Sequence, residues 1–205
     1  MGTMKGQTIK WAFLCSFWGK NAKDAICWHA ERDLVEKIGI LIYEQEECGA
    51  AIEAEKHGIK TVFLPVDRFG NKKSHQTEIL KVLSQEKISH VFLLGFQHLI
   101  LGDMLQSFPN RIVNIHPSLF PSFLATKTAI QDALDYGVKI SGITTHIIDD
   151  KFDRGIILCQ EPIRIEQTDT FETLYPKFSL KGLDVIIDTM KMIEEGGWLK
   201  QQKIH

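Results

Sequence analysis

An amide and an imidazole stand at the end of an apolar run in the segment RIVNIHPSLFP, residues 111–121. Asn114 and His116 are two positions apart, so on a β-strand both side chains point to the same face of the sheet. Pro117 follows directly and, because it has no backbone N–H, ends the strand there. A lone histidine at a strand end is more often an ordinary hydrogen-bonded polar residue than a catalytic group. A functional interpretation therefore needs a second feature.

That second feature is an acidic loop between two apolar strands, in the segment HIIDDKFDRGIIL at 146–158. A carboxylate from Asp149, Asp150 or Asp153 reaches His116 if the strands are neighbours, and it then favours the cationic imidazole and fixes its tautomer. An amide beside a cationic imidazole is a donor pair for a developing oxyanion. The pattern predicts acyl transfer through a tetrahedral intermediate. A solvated loop position explains Asp149 equally well, and Asp153 less well.

The elements that must position these residues alternate between strand and helix in the first half of the chain. Apolar runs without in–out alternation predict buried strands at 8–16, 39–45, 60–66 and 88–96. Apolar residues at helical spacing predict helices at 21–38, 49–58 and 74–87. This order indicates an α/β fold: a Rossmann-like, open, mostly parallel twisted sheet with helices on both faces. Ligands bind such sheets at the carboxyl ends of the strands.

The second half of the chain has a different order of elements. The same patterns predict strands at 111–118, 141–149 and 155–165, and helices at 127–137 and 170–195. The last two strands are close enough in sequence to pair as a hairpin, and Pro176 either kinks the final helix or belongs to its first turn. No internal repeat or linker is evident. Residues 1–205 are therefore interpreted as one domain, with a Rossmann-like half at about 8–110 and a second half at about 111–195.

The composition argues against several classes of partner. Lys and Arg total 24 and Asp and Glu total 26, a net charge of −2 that offers no basic stripe to a nucleic acid. No run is apolar enough to span a bilayer and no targeting segment is evident, so we expect a cytoplasmic protein without membrane contact. The cysteines form no CxxC pair, which favours reduced thiols over a metal site or a disulfide, at Cys15, Cys27, Cys48 and Cys159.

Four motifs together resemble a known family. GFQHLI, NIHPSLFP, GVKISGITTHIIDDKFDRGIIL and DTFETL occur in the order and spacing of the folate-dependent formyltransferases, over about residues 8–195. The resemblance is closest to the purine-synthesis branch, which formylates glycinamide ribonucleotide. It implies transfer of a formyl group from 10-formyltetrahydrofolate, as co-substrate, to a primary amine without a metal. The family's catalytic Asn, His and Asp fall on Asn114, His116 and Asp153.

The resemblance also implies roles for these residues and a folate site. Asn114 and protonated His116 hold the formyl oxygen as it becomes an oxyanion, Asp153 supports the charge of His116, and a proton moves from amine to folate through His116 or a water. The family packs the pterin of folate between the GFQHLI strand end and the DDKFD loop, largely through backbone groups. Ordinary loop polarity explains the side chains of Gln97 and His98 equally well. The implied folate-binding residues are Phe96, Gln97, His98, Leu99, Ile100, Asn114, Asp149, Asp150 and Asp153.

The acceptor side departs from the purine branch. The family's SGxGSN phosphate loop is SFWGKNAKD here: Gly19 and Asn21 match, Phe17 and Trp18 replace small residues, and Lys20 replaces a serine. A helix N-terminus with a lysine still suits a phosphate, so Gly19, Lys20 and Asn21 are the predicted substrate-binding residues. The alternative interpretation is a solvated first helical turn.

Further departures leave the acceptor amine open. The segment SFLATKTA at 122–129 lacks the family's PG, Gly182 falls near the position of the acid that meets the substrate amine, and KFSLKGLDVII resembles the tRNA and sugar-amine formyltransferases. The expected substrate is a small phosphorylated amine, bound by a monomer or homodimer. The alternatives are a nucleotide-linked amino sugar, hydrolysis by a formyltetrahydrofolate deformylase whose usual N-terminal regulatory domain is absent here, and a non-enzymatic folate-binding relative. The intact Asn114, His116 and Asp153 argue against the last.

Overall fold

One seven-stranded sheet organises the molecule. The computed structural model describes residues 9–149 and 155–196. The strands are β1 Trp11–Cys15, β2 Ile38–Tyr43, β3 Thr61–Phe63, β4 His90–Leu93, β5 Ile112–His116, β6 Ile140–Ile147 and β7 Ile157–Arg164. Their order across the sheet is β3-β2-β1-β4-β5-β6-β7. The first five run parallel, whereas β6 is antiparallel to β5 and β7 is antiparallel to β6. The predicted Rossmann-like, mostly parallel sheet is confirmed, as is the pairing of the last two strands.

Helices cover both faces of the sheet. They are α1 Lys20–Ala30, α2 Gly49–Lys56, α3 Lys72–Gln85, α4 Gly102–Ser107, α5 Ala129–Tyr136 and α6 Phe171–Glu194, with short 3-10 turns at Val35–Lys37 and Val66–Phe69. The core cluster on one face holds buried residues of α1, α2, α5 and α6, and the cluster on the other face holds those of α3 and α4. No helix within the described ranges is long and apolar enough to cross a membrane.

Strand β1 shows why the apolar runs form central strands. All five of its residues are fully buried. Successive side chains of a strand point to opposite faces, so Trp11 and Phe13 enter one core cluster while Ala12 and Leu14 enter the other. A strand buried on both faces cannot alternate between apolar and polar residues, and this explains the unbroken apolar pattern.

Several predicted boundaries are wrong for local reasons. The helix predicted at 21–38 ends at Ala30, because Asp33 has a left-handed backbone (φ 55°) that the helical spacing of nearby apolar residues does not reveal. The short helix α4 was not predicted, since its six residues are too few for a periodic signal. Pro176 lies inside α6, in its second turn, and the helix continues to Glu194.

The strand order places a ligand crevice at a defined point. Strands β1 and β4 are neighbours, and the chain extends the sheet through β2 on one side and through β5 on the other. At the carboxyl ends of β1 and β4 the following loops therefore run in opposite directions and leave a crevice. Open α/β sheets bind ligands in such a crevice. Helix α6 packs on β6 and β7 and contacts α1 and α5, so it closes the same end from the side.

Candidate active site

A cavity of about 760 Å³ opens at the carboxyl ends of β4 and β5. One side is formed by the loop after β4 and by Ile148 and Asp149, which follow β6. The other side is formed by the start of α1, the segment 125–127 and the inner surface of α6. Asn114 and His116 of β5 lie in the lining between the two sides. The cavity therefore joins two compartments across the strand end that was predicted to carry the chemistry.

Asn114 is held by a partner on the neighbouring strand. In the antiparallel pair β5–β6, Asn114 stands opposite His146, and its Nδ2 lies 3.3 Å from Nε2 of that ring. An amide nitrogen only donates, so Nε2 of His146 is the acceptor and a neutral His146 carries its proton on Nδ1. This contact fixes the amide plane of Asn114. His146 was not identified from the sequence, because the register of β5 against β6 decides which residue faces Asn114.

His116 is held by a loop that returns to the strand end. The residue is 7% exposed, and its Nε2 lies 2.9 Å from the carbonyl oxygen of Phe123. A carbonyl only accepts, so Nε2 carries a proton in this arrangement. The ring also packs against Phe120, with centroids 5.4 Å apart. The carboxylate predicted to support His116, Asp153, lies outside the described residues, as does Asp150.

The residues predicted for the folate side line the cavity. Phe96, Gln97, His98, Leu99 and Ile100 all belong to its lining, as does Asp149. The loop that carries them is anchored by buried polar groups, because the Gln97 N–H donates to Ser16 Oγ at 3.1 Å.

Gln76 on α3 fixes the next part of this loop. Its Nε2 donates to the Leu99 carbonyl at 2.7 Å, and its Oε1 accepts from the Leu101 N–H at 2.8 Å. The side chain is 2% exposed. This clamp was missed in the sequence, where Gln76 is one polar residue among many on α3.

Of the three residues predicted to bind the acceptor, one lines the cavity and two do not. Asn21 lines the cavity, whereas Gly19 and Lys20 do not. Lys20 Nζ forms an ion pair with Asp24 Oδ2 at 2.6 Å. Gly19 has φ 68°, and a Cβ there would stand 2.8 Å from Cys15 Sγ, so a glycine is required by both the backbone and the packing.

Helix α6 lines the side of the cavity predicted to take the acceptor. Gly182 lies in the cavity lining, and a Cβ added there would meet Asn21 Oδ1 at 3.6 Å, an ordinary contact distance. Tyr175, Phe178 and Ser179 complete this wall, and Lys127 lines the cavity from the segment before α5. The predicted acceptor side of the cavity is thus bounded mainly by aromatic and small residues, with a lysine at one edge.

A buried carboxylate connects the loops that follow β1, β2 and β4. Glu44 is 8% exposed, and its Oε2 accepts from the Ser16 hydroxyl. Its Oε1 lies 3.0 Å from His98 Nε2 and 3.6 Å from His75 Nε2. Burial raises the pKa of Glu44 to about 7, against the lowering effect of the Ser16 hydrogen bond. Burial also lowers the pKa of both His98 and His75. No sequence pattern indicated this cluster.

The fold is that of a Rossmann-like α/β enzyme, with a cavity at the carboxyl ends of the strands where the strand order reverses direction. Residues 9–190 match the family described as formyl transferase, and the chain belongs to that family. This confirms the family predicted from the four motifs.

Individual relatives agree with this assignment. Phosphoribosylglycinamide formyltransferase of Bacillus subtilis is 30% identical over 165 residues, which are 80% of this chain and 84% of that protein. The trifunctional purine biosynthetic protein adenosine-3 of Bos taurus is 30% identical over 185 residues, but the match spans only 18% of its length. The crystal structure of glycinamide ribonucleotide transformylase 1 from Symbiobacterium toebii superposes with a TM-score of 0.87 at 26% identity, covering 94% of this chain and 90% of that one.

Proposed function

We propose that this chain transfers the formyl group of 10-formyltetrahydrofolate to a primary amine, with glycinamide ribonucleotide or a related small phosphorylated amine as acceptor. The proposal is carried by the position of Asn114 and His116, which lie together at the end of β5 in the lining of one cavity. The relatives named phosphoribosylglycinamide formyltransferase support glycinamide ribonucleotide as the first acceptor to test.

The proposed reaction uses the two side chains as oxyanion donors. The amine nitrogen attacks the formyl carbon, and the formyl oxygen takes up the negative charge. The Asn114 amide and the protonated His116 donate to that oxygen. Nε2–H of His116 donates to the Phe123 carbonyl, and only the cationic ring carries an N–H on both nitrogens. The bond from the formyl carbon to the folate nitrogen then breaks, and a proton passes from amine to folate through His116 or a water.

The remaining roles complete this proposal. Asp153 supports the positive charge of His116, and the pterin of folate occupies the compartment lined by residues 96–100 and Asp149. Asp150 and Asp153 are the other proposed folate-binding residues. Of these, Phe96 to Ile100 and Asp149 have the supporting observation that they line the cavity. The acceptor then occupies the opposite compartment, beside Asn21 and α6.

A phosphate on the acceptor is proposed to bind at the N-terminus of α1, near Gly19, Lys20 and Asn21. The first N–H groups of a helix have no intrahelical partner and favour an anion. The ion pair of Lys20 with Asp24 opposes this role, because a phosphate must compete with a carboxylate 2.6 Å from the ammonium. We therefore expect weaker use of glycinamide ribonucleotide than in an enzyme with the glycine-rich loop. A nucleotide-linked amino sugar is the second candidate for the same reason.

The deciding experiment follows folate absorbance during incubation with 10-formyltetrahydrofolate. The acceptors are glycinamide ribonucleotide, a panel of nucleotide-linked amino sugars, and buffer alone. Acceptor-dependent loss of the formyl donor that disappears in Asn114→Ala supports the proposal. Loss without an acceptor identifies a hydrolase instead, and no loss under any condition refutes both. Lys20→Ala should weaken acceptor binding, whereas tight binding that is unchanged in Lys20→Ala would remove that residue from the site.

The setting of the enzyme is part of the proposal. The sheet runs without interruption through strands of both halves, which supports one domain over 1–205 with halves at about 8–110 and 111–195. We propose a monomer or homodimer that acts in the cytoplasm on small molecules, without nucleic acid or membrane partners.

A further inference from the structure

The Glu44 carboxylate has one oxygen that lacks a well-aligned donor. Its side chain is 5% exposed, Oε2 accepts from Ser16, and Oε1 is buried without a hydrogen bond of regular geometry. A buried carboxylate oxygen without a donor is costly. Two imidazole nitrogens approach it: His98 Nε2 at 3.0 Å and His75 Nε2 at 3.6 Å. The latter is already 2.9 Å from the Leu64 carbonyl, so His98 is the donor that a small ring rotation brings into place.

The other nitrogen of the His98 ring is left for a ligand. His98 lines the cavity and packs edge-on against Phe96 and His75, with centroids 5.4 Å and 5.8 Å apart. These rings limit its rotation. Among the described residues, Nδ1 of His98 has no hydrogen-bond partner. Nδ1 is not one of the buried polar atoms that lack a partner, so it is accessible to a molecule outside the protein. Because Glu44 approaches Nε2, Nδ1 is the ring nitrogen left available to a molecule in the folate compartment.

The proton content of this pair decides what Nδ1 offers. With an ionised Glu44 and a neutral ring, Nε2–H donates to the carboxylate and Nδ1 is a bare acceptor. If one proton is added to the ring, Nδ1 becomes an N–H donor. If the proton is added to the carboxyl group instead, that group donates to Nε2, the ring proton moves to Nδ1, and Nδ1 is again a donor. The hydrogen-bond polarity of Nδ1 thus inverts whichever group takes the proton.

We infer that Glu44 is a positioning residue that presents His98 Nδ1 to the folate ring as a hydrogen-bond acceptor, so that loss of this state by protonation weakens folate binding. The inference rests on the proposed function, because it takes a pterin as the ligand of this compartment. The amide and amino groups of a pterin carry N–H donors, and these match an acceptor nitrogen and oppose a donor. In this proposal Glu44 and His98 act on folate binding and are given no part in the formyl transfer step.

Burial and neighbouring charges place the inversion near neutral pH. Burial raises the pKa of Glu44 to about 7. Burial, followed by the nearby imidazole of His75, lowers the pKa of His98, so the ring stays neutral when the carboxylate is ionised. Other titratable or charged groups that face the pair come from β1, α3, the 3-10 turn before α3, and the segment before α5: Cys15, His75, Lys72, Asp67 and Lys127.

The test measures binding of tetrahydrofolate by titration calorimetry between pH 6 and pH 8. Wild type should bind roughly five- to tenfold more weakly at pH 6, the loss expected when one hydrogen bond is replaced by an opposed donor pair. Glu44→Gln should show less than about twofold dependence, because its amide does not titrate. His98→Asn should likewise be independent of pH, since its amide stands where Nδ1 stood and turns either its oxygen or its nitrogen to the ligand.

The chain offers a matched control. Glu53 of α2 and His57, which follows the end of α2, form a second carboxylate–imidazole pair with Oε1 and Nε2 also 3.0 Å apart, and neither residue lines the cavity. Glu53→Gln should keep the wild-type pH dependence. Any titration of tetrahydrofolate itself is common to all four proteins and cancels in the comparison.

Two results would overturn the inference alone: wild-type pH dependence in Glu44→Gln, or tighter wild-type binding at pH 6 than at pH 8. Wild type that binds no tetrahydrofolate at either pH refutes the proposed folate site and the inference together. Wild type that binds with the expected pattern but formylates no amine refutes the proposed function and leaves the Glu44 role standing. Thermal unfolding of each variant shows whether it is folded. If Glu44→Gln does not fold, the pH dependence of binding by His98→Asn tests the inference instead.

Discussion

Replacement of Gln76 by leucine should loosen one wall of the cavity. Leucine is close to glutamine in size but neither donates nor accepts, so the Leu99 carbonyl and the Leu101 N–H both lose their partner. Each unsatisfied buried group costs about 1–3 kcal/mol. Both belong to one loop that relaxes as a unit, so we expect the two losses to combine to about 2–4 kcal/mol rather than add in full.

The assay is reversible unfolding by urea and heat, together with tetrahydrofolate binding. A loss of this size lowers the melting temperature of a chain of this length by roughly 4–16 °C. Folate affinity should fall as well, because the loop that loses its clamp lines the cavity. Gln131→Leu is the control, since Gln131 is exposed and donates to Asp135 on the same helix, and the change should alter stability by less than about 0.5 kcal/mol. An unfolding free energy of Gln76→Leu within about 0.5 kcal/mol of wild type would refute the reasoning.

Three further predictions concern chemistry, acceptor space and pH. His116→Ala and Asp153→Asn should each lower kcat by roughly 10²–10³, with a smaller change in the KM for folate. The double variant should lose much less activity than the product of the two single losses, because the residues act as one unit. Near-normal turnover in His116→Ala would remove His116 from the mechanism. Gly182→Ala should raise the unfolding free energy by up to about 1 kcal/mol, because alanine has the higher helix propensity and its Cβ would not clash, lying 3.6 Å from Asn21 Oδ1. The KM for the acceptor should rise, because the added methyl group enters the cavity. An unchanged KM contradicts this prediction. The folded pKa of Glu44 is raised from 4.5 to about 7, so its contribution to stability is present below pH 4.5 and lost as the pH rises towards 7. Urea titrations across this range should show wild type losing stability relative to Glu44→Gln, and parallel curves would show that Glu44 is not buried as described.

The sequence was sufficient where burial alone decides the structure. A strand such as β1 is apolar throughout because both of its faces are covered, and few environments besides a sheet interior produce that pattern. Asn114 and His116 could be assigned to one face because the two-residue period of a strand leaves no choice. These two facts were enough to predict the sheet and to place Asn114 and His116 together at a strand end that lines the cavity.

The sequence was insufficient where register or loop conformation decides. His146 faces Asn114 only because β5 and β6 pair in one particular register, and no local pattern sets that register. The carbonyl that holds His116 belongs to Phe123, whose backbone is left-handed (φ 51°), and a backbone acceptor has no sequence signature. Glu44 stands in the stretch YEQEEC, which has the composition of a solvated turn. It is buried because the sheet order brings the end of β2 beside the loops after β1 and β4.

The same division explains why the reaction can be inferred with more support than its acceptor. The proposed oxyanion donors, Asn114 and His116, lie on one strand inside the sheet, and the pairing of that strand with its neighbours sets their positions. The acceptor compartment is assembled from the start of α1, the segment 125–127 and one face of α6, three pieces that are independent in sequence. Gly182 lies in the lining of that compartment without a side chain, and Lys20 is paired with Asp24 outside the lining; neither residue belongs to β5. Substitutions on these pieces can therefore change which amine is formylated while the formyl transfer itself is preserved.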